Sequence, residues 1–218
     1  MAENTRQLPR TLWLGFSLLT GLLGLAWLLS LAENRRSHHR PLPVIGQIAD
    51  FTLTNQNGQV TTLADLTNHV WVADIIFTRC AGPCPRMTRQ MESLQALLPP
   101  TSAAKLVTLT TDPNFDTPVV MQKYSERFHA DANRWLFLTG KKKEIAALAS
   151  GSLKLSAATV KPEEQKDSAD LFIHTTIFVV VDKHAQLRGV FETGGDGVEW
   201  TNVQPHILTT LRQLEHEP

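Results

Sequence analysis

Val70 to Phe77 (Val-Trp-Val-Ala-Asp-Ile-Ile-Phe) is the stretch that most restricts how this chain folds. A mostly apolar, β-branched run of this length reads as a buried central strand. A helical pattern follows within ten residues. Pro85 suits the first helical position, and Met87, Met91, Leu94 and Leu98 recur at spacings of four, three and four. Pro99-Pro100 ends it. The same alternation then repeats. Lys105–Thr111 reads as a strand, Thr117-Pro118 as the capped start of a helix reaching about Phe128, Trp135–Leu138 as a strand and Lys141–Ala149 as a short helix.

Hairpins flank this core. Asn57-Gly58, between Phe51–Thr54 and Val60–Leu63, supplies the positive φ of a tight turn. Thr175–Asp182 with Leu187–Phe191 makes a second hairpin, and Thr201–Glu215 a closing amphipathic helix. Ser156–Asp170 is polar, lacks periodicity and reads as an exposed loop. Together these elements predict an α/β sandwich around one mixed sheet.

Leu12 to Ala32 carries no charge. At about 1.5 Å per residue such a helix spans the roughly 30 Å hydrocarbon core, and Trp13 and Trp27 lie near its ends. A cleaved signal has a shorter apolar region and a small-residue cleavage site, which Ala32-Glu33-Asn34-Arg35-Arg36 does not offer. The expected organisation is a short basic tail over 1–11, a transmembrane anchor over 12–32, a Pro-bearing linker over 33–48 and a soluble domain over 49–218. Arg6 and Arg10 on one flank balance Arg35, Arg36 and Arg40 on the other, so charge does not orient the span.

The formal charge is zero, from 21 basic and 21 acidic residues. The first 40 residues hold five Arg and two Glu, which leaves 16 basic and 19 acidic side chains in the remaining 178. A soluble part of net −3 is a poor match for nucleic acid, which calls for a basic excess. Two cysteines exclude a disulfide-dense scaffold and a four-cysteine zinc site.

Both cysteines fall in Phe77-Thr78-Arg79-Cys80-Ala81-Gly82-Pro83-Cys84-Pro85-Arg86-Met87, where the first buried strand enters the first helix. A helix amino-terminus, with Arg79 and Arg86 alongside, favours low-pKa, partly exposed thiolates. A two-residue gap is the usual spacing of a disulfide oxidoreductase. The three-residue gap here still permits a disulfide but suits chelation of one ion by two sulfurs. A third ligand then has to come from elsewhere, and His174, just before an apolar strand expected beside the thiol-bearing one, is the candidate. Two thiolates and an imidazole form a soft set suited to copper, or to zinc with an added ligand. The other seven histidines read as solvated. Asp112 and Asp116 read as turn and cap residues, Met87 and Met91 as a helix core face, and Lys141-Lys142-Lys143 as a solvated helix start.

Phe77-Thr78-Arg79-Cys80 with Cys84-Pro85, Thr111-Asp112-Pro113 with Asp116-Thr117-Pro118, Trp135–Gly140, and His174-Thr175 with Val181-Asp182 resemble the Sco/SenC family. The similarity runs in order from about Ala49 to the end of the chain. Ala81-Gly82-Pro83, between the cysteines, departs from the Pro-led version common in that family. The resemblance implies a thioredoxin-like fold with an amino-terminal β-hairpin, preceded by one transmembrane helix, in a membrane-tethered copper protein that helps assemble cytochrome c oxidase. It also implies Cys80, Cys84 and His174 as copper ligands, and a domain facing the periplasm or the mitochondrial intermembrane space. The expected activity is that of a metallochaperone rather than an enzyme. It would pass a copper ion by ligand exchange to the copper A centre of oxidase subunit II. Two alternatives use the same redox pair, Cys80 and Cys84: a thiol–disulfide reductase acting on the acceptor's cysteines, and a peroxide-responsive thiol sensor.

Overall fold

The computed structural model describes residues 18–28, 30, 41–155 and 176–217. Contacts divide the chain into two units, 1–42 and 43–218. In the first, residues 18–28 and 30 are helical and exposed. No helix among the described residues is long and apolar enough to cross a membrane. The expected span reaches past them at both ends, since residues 12–17, 29, 31 and 32 lie outside the described set. The 156–170 loop lies outside it as well.

The second unit is built on one mixed sheet. Three parallel strands form its middle: β4 (Trp71–Ile76), β5 (Lys105–Thr110) and β6 (Trp135–Thr139). On the other side of β4 lies antiparallel β7 (Ile177–Val181), then β8 (Gln186–Glu192) and the two-residue β1 (Gly46–Gln47). The amino-terminal hairpin, β2 (Thr52–Asn55) and β3 (Val60–Thr62), joins the far edge through an antiparallel pairing of β2 with β6. The order is β1-β8-β7-β4-β5-β6-β2-β3. Gly58, with φ +76°, makes the hairpin turn that the Asn-Gly pair predicted.

Every residue of β4 is buried, as expected of a central strand. Its alternating side chains face two cores. Trp71, Ala73 and Ile75 join Val107, Leu109, Val179 and Val181 on one face, packed with Leu148 and Leu153. The opposite face meets the helices α1 (Cys84–Leu97), α2 (Pro118–Arg127) and α4 (Trp200–His216). There Met87, Met91 and Leu94 of α1 are buried, which confirms the core reading of the two methionines. Tyr124 of α2 meets Phe137 edge-on at 6.3 Å, and Trp200 of α4 meets Phe178 at 5.9 Å. Thr117 caps α2, its hydroxyl accepting from the Val120 amide at 3.4 Å.

Three elements differ from expectation. The short helix α3 (Lys142–Ala146) continues as a π-helical turn over Ala147–Ser152, beyond the predicted end at Ala149. The Ser152 hydroxyl accepts from the Ala49 amide, tying that extra turn to the start of the domain. Gly46–Gln47, inside the expected linker, forms β1 because an edge position beside β8 offers free ladder partners. Helix α1 starts at Cys84, one residue before Pro85. Pro83 takes the cap position in helical conformation, so the turn closes earlier and draws the second cysteine into the helix.

Candidate metal centre

The thiols sit at the carboxyl end of the middle strands. Strand β4 ends at Ile76, and the Cys80 amide donates to the Phe77 carbonyl at 3.1 Å, folding Phe77–Cys80 into a turn. Cys84 opens α1, with the Arg86 and Met87 amides both donating to the Pro83 carbonyl at 3.0 Å. The sequence-predicted pair is therefore brought together. Both cysteines are free, Cys80 half-buried and Cys84 buried, with their side chains within hydrogen-bonding reach.

Cys84 corrects the expectation of two low-pKa, partly exposed thiolates. Burial pushes its thiol up, and its hydrogen bond with Cys80 and the nearby Cys80 and Asp74 charges push the same way, opposed by the Phe77 backbone. Desolvation of the sulfur is the largest of these effects and sets the direction. The Arg79 charge is also spent elsewhere. Its guanidinium pairs with Asp112 at 2.5 Å and stacks over Phe115 at 4.0 Å. Arg86 is exposed, and its guanidinium lies where a Cβ on Gly194 would come within 2.1 Å.

A buried polar chain beneath α1 was not foreseen as a unit. Asp74, fully buried on β4, accepts from the Thr108 hydroxyl at 2.7 Å, and Thr108 in turn accepts from the Trp135 indole at 2.9 Å. The second Asp74 oxygen has no hydrogen-bond partner, and burial raises its carboxyl to about 7. On the helix side, Thr88 donates to the Cys84 carbonyl at 2.9 Å and lies 2.9 Å from the Tyr124 hydroxyl. Burial raises Tyr124 to about 12. The signal for Asp74 was visible as the one acidic residue in an otherwise apolar strand.

Asp112 makes the predicted turn, its carbonyl accepting from the Phe115 and Asp116 amides. Asp116, expected as part of a cap, is instead fully buried. Its carboxylate accepts from the Thr78 amide at 3.1 Å and from the Thr78 and Thr110 hydroxyls. The reason is reach, because Thr117 already caps α2 and the preceding side chain points back under the Cys80 loop.

His174 lies outside the described residues, three positions before β7. Since β7 is antiparallel to β4, it begins at the end of the sheet where β4 stops. That corner is firmly tied. Thr176 donates to the Gly194 carbonyl at 2.5 Å, Thr193 donates through both its amide and its hydroxyl to the Thr176 carbonyl, and Gln90 of α1 donates to the Thr193 carbonyl at 2.9 Å. Among the described residues no group of three His, Cys, Asp or Glu side chains could hold a metal ion. Of the other histidines, His129 contacts Glu92 at 2.7 Å while remaining exposed, and His184, His206 and His216 are exposed.

Two thiols at the junction of a central parallel strand and its following helix, in a mixed sheet with helical segments on both faces, define a thioredoxin-like dithiol protein. The SCO1/SenC family model matches residues 45–203, and the chain belongs to that family. A SCO1 protein homolog of Bacillus subtilis is 34% identical over 141 residues, which cover 64% of this chain and 70% of that protein. The structure of BsSco, a member of the Sco family of cytochrome c oxidase assembly proteins, aligns with a TM-score of 0.65 at 27% identity. That alignment covers 82% of this chain and 99% of BsSco. Bradyrhizobium japonicum ScoI, solved with copper bound, aligns with a TM-score of 0.56 at 21% identity over 77% of this chain and 99% of its own, a likeness of fold.

Proposed function

We propose that this protein is a membrane-anchored copper metallochaperone that carries one copper ion on Cys80, Cys84 and His174. It delivers the ion to the copper A centre of cytochrome c oxidase subunit II. The observation that carries the reading is the free thiol pair held side by side at the end of β4, at the edge from which β7 departs. Membership of the SCO1/SenC family, an assembly role in BsSco and bound copper in ScoI support it. The uncharged run Leu12–Ala32 serves as the anchor, with the domain on the periplasmic or intermembrane-space side, where an oxidase copper site is loaded.

Two soft sulfurs and an imidazole suit copper. A bound cation reverses the local balance at Cys84, because the charge that burial disfavours becomes the charge the ion needs. Loading therefore releases protons and weakens as pH falls. Delivery proceeds by exchange, with acceptor thiolates displacing Cys80 and Cys84 one at a time, so copper is never free.

The test is a spectroscopic copper titration of the reduced chain and of His174→Ala. Binding should be stoichiometric in the first and lost or much weakened in the second. Equal binding by both would sink the three-ligand site.

A second reading is favoured by the unequal exposure of the sulfurs. As a thiol–disulfide reductase, half-buried Cys80 attacks an acceptor disulfide and releases one acceptor thiolate. Buried Cys84 then displaces the second, leaving a Cys80–Cys84 disulfide and a reduced acceptor. This route needs both cysteines but not His174. A mixed disulfide trapped on a Cys84→Ser variant, with copper-free protein recovered from cells, would favour it over the chaperone.

A further inference from the structure

Asp116 belongs to neither reading, yet its carboxylate is wholly buried and turned toward the cysteine loop. It joins three segments. Thr78 follows β4, Thr110 ends β5, and Asp116 itself precedes the cap of α2. Both of its oxygens are used. One accepts from the Thr78 hydroxyl, and the other from the Thr78 amide and the Thr110 hydroxyl. Thr78 is two residues before Cys80, inside the turn that the Cys80 amide closes on the Phe77 carbonyl at 3.1 Å. The position of the first sulfur is therefore set from Thr78.

A second tether exists, the Arg79–Asp112 pair with Phe115 beneath it. Its side chains are 58% and 30% exposed, however, and exposed pairs of this kind hold little. The buried contacts at Asp116 are the firm ones, since hydrogen bonds to a carboxylate shielded from water are stronger than neutral or solvated ones. Cys84 is fixed independently, as the first residue of α1 with Thr88 bonded to its carbonyl. Only Ala81, Gly82 and Pro83 lie between the two anchored ends.

We infer that Asp116 is a positioning residue that holds Cys80 against Cys84 and so sets the effective concentration of one sulfur for the other. Chelation of an ion by both thiols and closure of the Cys80–Cys84 disulfide both depend on that concentration, as any intramolecular second contact does. The inference deepens the proposed metal site, and its disulfide arm stands apart from copper.

The experiment compares the full chain with Asp116→Ala, Asp116→Asn and Thr78→Val. Leu148→Ala, on the other face of the sheet, serves as a stability control. Cuprous ion affinity is measured by competition with a chromophoric chelator, and the dithiol–disulfide equilibrium of metal-free protein against dithiothreitol. In that reaction the protein disulfide is reduced as dithiothreitol is oxidised, with two electrons and two protons passing between them. Asp116→Ala should bind copper about 10- to 100-fold more weakly, the usual cost of losing an outer-shell partner. It should also form its disulfide about fivefold or more less favourably, the worth of a hydrogen bond or two. Asp116→Asn and Thr78→Val, which each keep part of the clamp, should fall between it and wild type, while Leu148→Ala changes neither quantity. If Asp116→Ala does not fold, Thr78→Val carries the test. Wild-type values in both assays for the folded clamp variants would overturn the inference. Loss matched by Leu148→Ala would overturn it as well. Absence of copper binding by wild type would defeat the proposed function and leave the disulfide equilibrium to decide the clamp.

Discussion

Asp74→Asn probes the most unfavourable group under the dithiol. Asp74 is fully buried, one of its oxygens has no partner, and burial lifts its carboxyl from 3.8 to about 7. The raised value means that the folded state holds the proton more tightly than the unfolded chain. Its contribution to stability is complete below about pH 4, declines as the unfolded carboxyl ionises first, and levels off above about pH 7. A shift of about three units at 1.36 kcal/mol each makes that decline about 4 kcal/mol. Asparagine removes the ionisation but sets an amide where the unpartnered oxygen stood, at a cost of roughly 1–3 kcal/mol. That cost does not change with pH, so it cancels in a difference of differences. Urea unfolding of reduced, metal-free wild type and variant at pH 4.5 and pH 8 gives the needed quantity. Because the unfolded carboxyl is already mostly ionised at pH 4.5, the variant should gain about 3 kcal/mol relative to wild type between the two pH values. A stability difference that stays constant within about 1 kcal/mol would refute the argument that burial governs Asp74.

Other outcomes follow from the same contacts. In folded, reduced protein, iodoacetamide should label Cys80 well ahead of Cys84, because Cys84 is only 5% exposed and its thiol is pushed up by burial. Both cysteines fall on one tryptic peptide, Cys80 to Arg86, so fragment-ion mass spectrometry of that peptide decides this, and equal rates would contradict the geometry. Arg188 is buried between Asp182 at 2.5 Å and Glu217 at 2.8 Å, fastening β8 to the turn before it and to the end of α4. Arg188→Met leaves Asp182 buried without its partner and should cost about 3–5 kcal/mol in unfolding free energy. A loss below about 1 kcal/mol would show that the network is not a structural lock.

The strand–helix alternation, the Asn57-Gly58 hairpin, the Thr117 cap and the apolar face of α1 were legible from residue order alone. Each depends on contacts within a few positions, where periodicity and turn chemistry act directly. So was the pairing of the two thiols, because a five-residue segment at a strand–helix junction has little freedom to separate them. The family resemblance, carried by short motifs in order, was legible in the same way and is matched over residues 45–203.

What the linear pattern could not contain was set by residues far apart in the chain. Gly46–Gln47 became a strand only because β8 left an open edge 140 residues later, and the β2–β3 hairpin found its place beside β6 only once the parallel strands were ordered. Asp116 reads locally as a cap residue, yet the approach of β4 to β5 brings three donors to it and makes it part of the cysteine loop. Arg79 reads as a charge beside a thiol, but the same approach delivers it to Asp112. Asp74 and Cys84 carry ordinary side chains whose protons are held by burial, a property of the packed whole rather than of any neighbour in sequence. Residue order determined which groups could do chemistry in this protein. Tertiary structure decided which of them are dry, which are paired and which remain free to act, because desolvation and partner geometry exist only after distant segments meet.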